Sequence, residues 1–425
     1  MTTLAKNHIL LSPAGSWESL SAALHAGADA VYFGVGSLNM RARAAKPFAL
    51  DDLPQIVARC REYGVESCLA LNTILYDDDL PVMRRICDAA QSAGISAVIA
   101  TDIAAVEYAR SIGLSVHIST QANISNLAAV QYYARYADVM VLARELTLEQ
   151  IEQIIGEIKR QNIVGPSGAP VAVELFVHGA LCVSVSGLCG MSLATTGHSA
   201  NRGDCLQTCR RSFRVIDDDT GEELVINNRF VMSPKDLCLI GAMDRLMSAG
   251  VRVFKIEGRG RSAEYVHHVT RAYRQAIDAA AAGEYTAEKI AAWTAELESV
   301  FHRGFWHGGH YLGKKLGEWS GAYGSQATHQ KTYLGYVVNY FAKPRVAQVV
   351  IETGRLAVGE QIAVIGPTTG YEERTVSELY VNERPATRAV KGDDVTLPFD
   401  VKLRRHDKLY AIRRRTDWQS EPVKS

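Results

Sequence analysis

The sequence has no surplus of charge of either sign: Lys and Arg total 46, and so do Asp and Glu. A global basic field for nucleic acid is therefore absent, and contact with a polyanion has to come from a local patch. No run of 18 apolar residues occurs, which argues against a membrane span. The N-terminus, MTTLAKNHILLSPAGS, lacks the basic stretch, long apolar run and small-residue cleavage site of a secretion signal. The expected compartment is cytoplasmic, where structural disulfides are rare. Single-stretch catalytic signatures are missing too: there is no GxSxG elbow, no HExxH zinc helix, and no GxGxxG after the first apolar run.

What is present is a repeat of short apolar runs and helical stretches. Eight strand candidates lie in the first 260 residues: 8–14, 30–34, 67–72, 97–102, 115–120, 139–143, 173–179 and 252–258. Helical periodicity fills most of the gaps, as in LPVMRRICDAAQSAG and LTLEQIEQIIGEIKRQ, where a Thr stands ready to cap its helix. Eight such units predict a (β/α)8 barrel of the TIM type within residues 1–325, with a doubly wound sheet as the alternative. A Cys-rich insertion over about 180–240 interrupts the last unit and includes a hairpin-like piece, SFRVIDDDTGEELVI. A helical extension is expected over about 262–315. From about 330 to 415 the pattern turns to short β runs and tight turns, predicting a separate small all-β barrel. Its stretch LAVGEQIAVIGPTTG, followed by KGDDV, resembles the second-domain barrel of translation elongation factors.

Eight cysteines need an explanation other than disulfides. Cys60, Cys68, Cys87 and Cys238 sit among apolar neighbours in helical or strand patterns and read as core packing. The other four, Cys182, Cys189, Cys205 and Cys209, follow the spacing C-x6-C-x15-C-x3-C. Their surroundings, GHSANRGDCLQTCRRSF, are polar and rich in glycine, and so poor core material. Cys182 falls just past the seventh strand, on the barrel face that carries active sites. Four clustered thiols in a cytoplasmic protein suit zinc or an iron–sulfur cluster. The same face is expected to present Asn72, Gln121, Arg144, His178, Lys255, Glu257 and Arg259, with Arg41 and Arg43 nearby. Arginines bind carboxylate or phosphate through two parallel hydrogen bonds. A second basic group, KLRRHDKLYAIRRR at 402–415, suits phosphate contact.

These pieces carry a resemblance. ELFVHGALC with a second Cys after six residues, then CLQTCRR, MSPKDL and KIEGR, resemble the collagenase-like U-thirty-two peptidase family. The stretches LLSPAGSWESLSAALHAGADAVYFG, SLNMRARA, HISTQANISN, LARELTLEQI and FHRGFWHGG look like further family segments in family order, so the likeness covers nearly the whole chain. The family name implies proteolysis, yet no protease machinery stands out in the sequence. The sequence is most similar to the branch that hydroxylates the tRNA wobble uridine to 5-hydroxyuridine. The resemblance implies a 4Fe–4S cluster on Cys182, Cys189, Cys205 and Cys209, with prephenate as co-substrate. tRNA is then the implied partner, alongside an electron donor protein. Arg41, Arg43, Asn72, Arg144, Lys255 and Arg259 are candidates to bind substrate, and His178, Gln121 and Glu257 to orient the reacting group. Two other readings stand beside this one: a collagenase-like peptidase, and a zinc-stabilised RNA-binding scaffold.

Overall fold

The computed structural model describes residues 7–43, 48–224, 230–314, 318–321 and 324–416. Eight parallel strands form its centre: β1 (Ile9–Pro13), β2 (Ala30–Phe33), β3 (Glu66–Leu71), β4 (Ala97–Ala100), β5 (Val116–Ile118), β6 (Val139–Val141), β7 (Ala172–Gly179) and β8 (Val253–Ile256). Each pairs with the next, and β8 pairs with both β7 and β1, which closes the barrel. These are the eight strands that the sequence pattern predicts. Alternation along each strand sorts the side chains. In β1, Leu10 joins the core under the helices, whereas Ile9 and Leu11 fill the barrel interior with Tyr32, Cys68 and Ile99. Cys60, Cys68, Cys87 and Cys238 are all buried.

The helices begin where the chain supplies caps. Thr147 accepts a hydrogen bond from the Gln150 amide, and the Gln150 side chain accepts one from the Thr147 amide, a reciprocal box that starts helix Leu148–Arg160. Pro54 and Pro81 stand in the first turns of helices Leu53–Glu62 and Leu80–Ala93, where no amide hydrogen is needed.

The long segment between β7 and β8 does two things. Its strand Asp236–Cys238 pairs antiparallel with the end of β7 and parallel with Phe305–His307, extending the sheet off the barrel mouth. Its hairpin pairs Val215–Ile216 with Glu223–Leu224; residues 225 and 226 of the expected hairpin lie outside the described residues. No helix among the described residues is long and apolar enough to cross a membrane.

Residues 329–414 form an antiparallel sheet of eight strands around a core of its own, centred on Leu334, Val349, Ile362, Val395 and Leu409. This sheet docks on helices Trp17–His25 and Ala263–Ala281. The Pro367 carbonyl accepts hydrogen bonds from Ser21 and Arg59, and Lys331 pairs with Glu264 at 2.9 Å. At the centre of the seam lies His268, on helix Ala263–Ala281. Its Nδ1 is 3.0 Å from Glu296 and its Nε2 is 3.2 Å from Glu373 of the sheet. Arg271 also holds Glu296, and the Tyr371 hydroxyl is 3.4 Å from the ring. Burial alone would lower the pKa of His268, but the two carboxylates outweigh it and raise it. Its neighbour His267 is held neutral, at about 3, chiefly by burial.

The charged His268 therefore contributes stability that is complete below its unfolded value near 6.5 and is lost as pH rises through the raised folded value. His268→Gln is expected to destabilise the protein more at pH 6 than at pH 9. Denaturant unfolding of both proteins at the two pH values checks this; an equal loss at both sinks it.

Candidate functional site

The C-terminal ends of the barrel strands open into a cavity of about 370 Å³. Cys182, Cys189, Cys205 and Cys209 all line it. The loop after β7 brings in the first. Gly179 turns the chain with a φ of 105°, and a side chain there would meet the Glu257 carbonyl at 2.6 Å, so only glycine lets the strand leave at this angle. The Cys182 sulfur then accepts a hydrogen bond from the Ser184 amide at 3.4 Å, and the Cys189 sulfur one from the Met191 amide at 3.3 Å. All four thiols are free and partly exposed. Burial pushes the Cys209 thiol up, against the opposing charge of Arg210. Amide hydrogens aimed at sulfur suit thiolates that carry charge. Among the described residues no three His, Cys, Asp or Glu side chains converge closely enough to share one metal ion. Cys182, Cys189 and Cys205 lie near enough to Cys209 to add to the rise of its thiol pKa.

The loop that carries Cys189 is anchored on the turns that follow β5 and β6. Ser186, in the left-handed region at φ 45°, donates its amide to Glu145 and its hydroxyl to Asn123. Arg210 ties the other end down by donating to the carbonyls of Leu181 and Pro234. The cysteines thus stand on a loop pinned to the barrel at several points, although few apolar side chains lie beneath it.

Arginines share the lining of this cavity with the sulfurs. Arg144 donates to the Ala180 carbonyl at 3.4 Å and lies over the Phe176 ring; Arg261 stacks on Phe301 at 3.7 Å. Neither makes an ion pair among the described residues, so both charges are available to an anion. Arg41 also lines the cavity but is engaged with Glu257 at 2.9 Å, and Arg303 with Asp236 at 3.3 Å. Burial raises the Glu257 pKa, but Arg41 and Arg261 more than reverse this, so the carboxyl stays ionised below its usual range. Gln121, on the turn after β5, reaches both this cavity and a second one of about 240 Å³ walled also by Met40 and Asn72.

Several expected site residues are used elsewhere. His178 is not among the residues lining the cavity. Between Phe176 and His178 the register against β8 shifts by one, a bulge that turns His178 outward onto Tyr265, Tyr273 and Phe305. Burial lowers its pKa to about 3, so it is neutral. Lys255 lies one layer below the mouth, in a fully buried pair with Glu174 at 2.7 Å. Arg43 holds Asp204 of the insertion at 2.8 Å. Arg259 is buried on the Asn39 side chain at 2.9 Å, where desolvation lowers it to about 10. Asn72 lies in the wall of the second cavity, bonded to Ser119 and Gln121. Arg261, Arg303 and Phe301 are additions to the sequence reading. Arg261 stands two residues beyond the predicted Arg259, and the other two belong to the FHRGFWHGG stretch already singled out.

A family model described as Peptidase family U32 matches residues 15–321. A protein of Porphyromonas gingivalis named "Collagenase" is 50% identical over 408 residues, 96% of this chain and 98% of that one. A 23S rRNA 5-hydroxycytidine synthase of Escherichia coli is 36% identical over 312 residues, 72% of this chain and 45% of that one. A "tRNA hydroxylation protein P1" of Bacillus subtilis is 27% identical over 388 residues, 89% of this chain and 88% of that one.

Proposed function

This chain belongs to peptidase family U32, and from that membership we propose that it is an iron–sulfur enzyme that hydroxylates RNA, its target the wobble uridine of tRNA and its product 5-hydroxyuridine. The observation that carries this reading is the meeting, in one cavity at the barrel mouth, of four free cysteines with two arginines that make no ion pair among the described residues. Relatives named for tRNA and rRNA hydroxylation support RNA as the substrate class. Cys182, Cys189, Cys205 and Cys209 would hold a 4Fe–4S cluster, which supplies electron transfer when bound.

The remaining work falls to this chain's own side chains. Arg144 and Arg261 suit the two carboxylates of prephenate, the co-substrate that the family resemblance implies. Glu257, ionised, holds Arg41 in place. Lys402, Arg404, Arg405, Lys408 and Arg414 are exposed on the C-terminal sheet and give the tRNA backbone a basic track. An electron donor protein completes the set of partners.

The test is anaerobic purification with iron, sulfide and zinc assays, followed by nucleoside analysis of tRNA from cells with and without the gene. Bound iron and loss of 5-hydroxyuridine on deletion are the expected results. Unchanged tRNA in the deletion strain overturns the reading. Peptidase activity is the second reading, favoured by the name of the relative at 50% identity. Among the described residues, however, none of the four cysteines hydrogen-bonds a histidine, the pairing that a thiol nucleophile needs. Gelatin cleavage by cluster-free protein would establish it.

Replacing Arg144 and Arg261 together with Met is expected to raise the KM for prephenate about 100-fold, since each removes a charged hydrogen-bond donor. Steady-state rates against prephenate concentration, at unchanged iron content, check this. An unchanged KM moves the carboxylate site elsewhere.

A further inference from the structure

The second cavity shares Met40 and Gln121 with the cysteine-lined one. Its character is different. Among the described residues no arginine or cysteine lines it; its walls combine apolar side chains with amides, hydroxyls and one carboxylate, that of Asp102. Met40, Ile74 and Leu188 provide flat apolar contact. Thr73 and Thr101 also line it, and among the described residues neither hydroxyl has a hydrogen-bond partner. Thr73 is 1% exposed. Buried hydroxyls without partners are costly, and two in one cavity point to a ligand that satisfies them.

The amides fix what that ligand offers. The Asn72 oxygen accepts from the Met40 amide, so the Asn72 nitrogen must face Gln121, and Gln121 must answer with its oxygen. The Asn201 oxygen accepts from the Cys189 amide at 3.2 Å. Gln121 and Asn201 are therefore both left with their NH2 groups uncommitted. Two NH2 donors and two hydroxyls, which give or accept, complement a flat ring edge with two carbonyls around one N–H. Asp102 accepts from the Leu75 amide at one carboxylate oxygen and from the Ala104 amide at the other, and the lone pair left on each can accept the ring N–H.

We propose that this cavity is a pocket for one everted pyrimidine base with two ring carbonyls, uracil in RNA. The proposal rests on the RNA-hydroxylation reading above and assigns to it a binding site next to the cysteine cavity. Met40 and Ile74 hold the ring faces, and the base edge meets Thr73, Thr101, Gln121 and Asn201. A base seated here lies against the shared wall of Met40 and Gln121. The rim fits a strand that continues past the pocket. Exposed Tyr76 carries the Arg202 guanidinium 3.9 Å over its ring, and Arg202 is held in turn by Asp79 and by the Ile74 carbonyl. That stack offers a platform for a flanking base. Single-stranded RNA presents its bases without the cost of unpairing, so it is the direct probe.

Binding of oligouridylate, oligocytidylate and an abasic ribose-phosphate oligomer of equal length, followed by fluorescence anisotropy, tests the pocket. The wild type is expected to bind oligouridylate most tightly. Thr73→Val with Thr101→Val keeps the shape and removes both hydroxyls. At about fivefold per hydrogen bond, it is expected to weaken oligouridylate more than tenfold and to leave the abasic oligomer unchanged. Unchanged abasic binding also reports that the variant is folded. Equal wild-type binding of all three, or equal weakening of all three by the variant, overturns the pocket alone. Failure of the wild type to bind any of them overturns the RNA reading beneath it.

Discussion

Serine at Cys182 is expected to leave a folded protein that has lost most of its iron and makes no detectable hydroxylated nucleoside. The side chain changes by one atom, so packing is not the issue. The change is in donor chemistry: a serine oxygen stays protonated and hard, whereas iron–sulfur clusters are held by thiolate. The Ser184 amide that now faces the sulfur would face a neutral hydroxyl. Losing a partner behind a metal ligand typically costs 10–100-fold, so loss of a ligand should exceed about 100-fold in activity. The same result is expected at Cys189, Cys205 and Cys209. Cys87 provides the contrast. It is fully buried beside Met83 and lies on no cavity wall that the four share. Cys87→Ser buries a hydroxyl and should cost about 1–3 kcal/mol of stability while iron stays bound. Iron, sulfide and visible absorption measured on all five variants separate the two groups. Full iron in the Cys182 variant would remove the cluster assignment, and equal losses at Cys87 would turn it into a stability effect. Because the insertion buries few apolar side chains, the iron-free variants should also be cut by protease within about residues 183–210 sooner than the loaded protein.

The barrel is legible because its signals are local. Each strand is a short apolar run ended by a turn, and the caps at Thr147 and Ser262 sit where the helices start. The four cysteines are legible for the same reason: they are rare residues in a polar, glycine-rich setting. What the sequence hides depends on register. A single bulge before His178 reverses which way that ring points, and nothing in VELFVHG announces it. Lys255 and Glu257 share one face of the strand end, so alternation cannot tell the layer inside the barrel from the layer at its mouth. Arg259 and Arg261 look alike in KIEGRGR, yet one is buried on Asn39 and the other stacks on Phe301, a residue 40 positions along the chain. The second cavity draws on five separate loops, and its threonines carry no spacing that a reader could follow.

Lys255→Met is expected to be among the most damaging single changes in the barrel. Lys255 and Glu174 are 4% and 0% exposed, and their 2.7 Å contact sits among Tyr32, Phe176 and apolar side chains. The second oxygen of Glu174 has no hydrogen-bond partner among the described residues. Removing the ammonium leaves a carboxylate in a dry interior, which costs about 3–5 kcal/mol. Whole domains are stable by roughly 5–15 kcal/mol, so the variant should approach unfolding at 37 °C. The orphaned carboxyl escapes by taking a proton, so its folded pKa would lie above its unfolded value. Stability of the variant is then greatest at low pH and falls as pH rises through that raised pKa, the reverse of an ordinary paired carboxylate. Denaturant unfolding at pH 5 and pH 8 reads this directly, and a loss under about 1 kcal/mol at both would mean that water reaches the pair. Changing both partners, Lys255→Met with Glu174→Leu, removes the charge problem and should restore stability or exceed the wild type by about 1–4 kcal/mol. The double variant also decides what the lysine is for. If Lys255 only fills the barrel, the restored protein binds iron and hydroxylates RNA as before. A stable double variant that holds its cluster but has lost activity would mean that this buried charge acts on the site one layer above it.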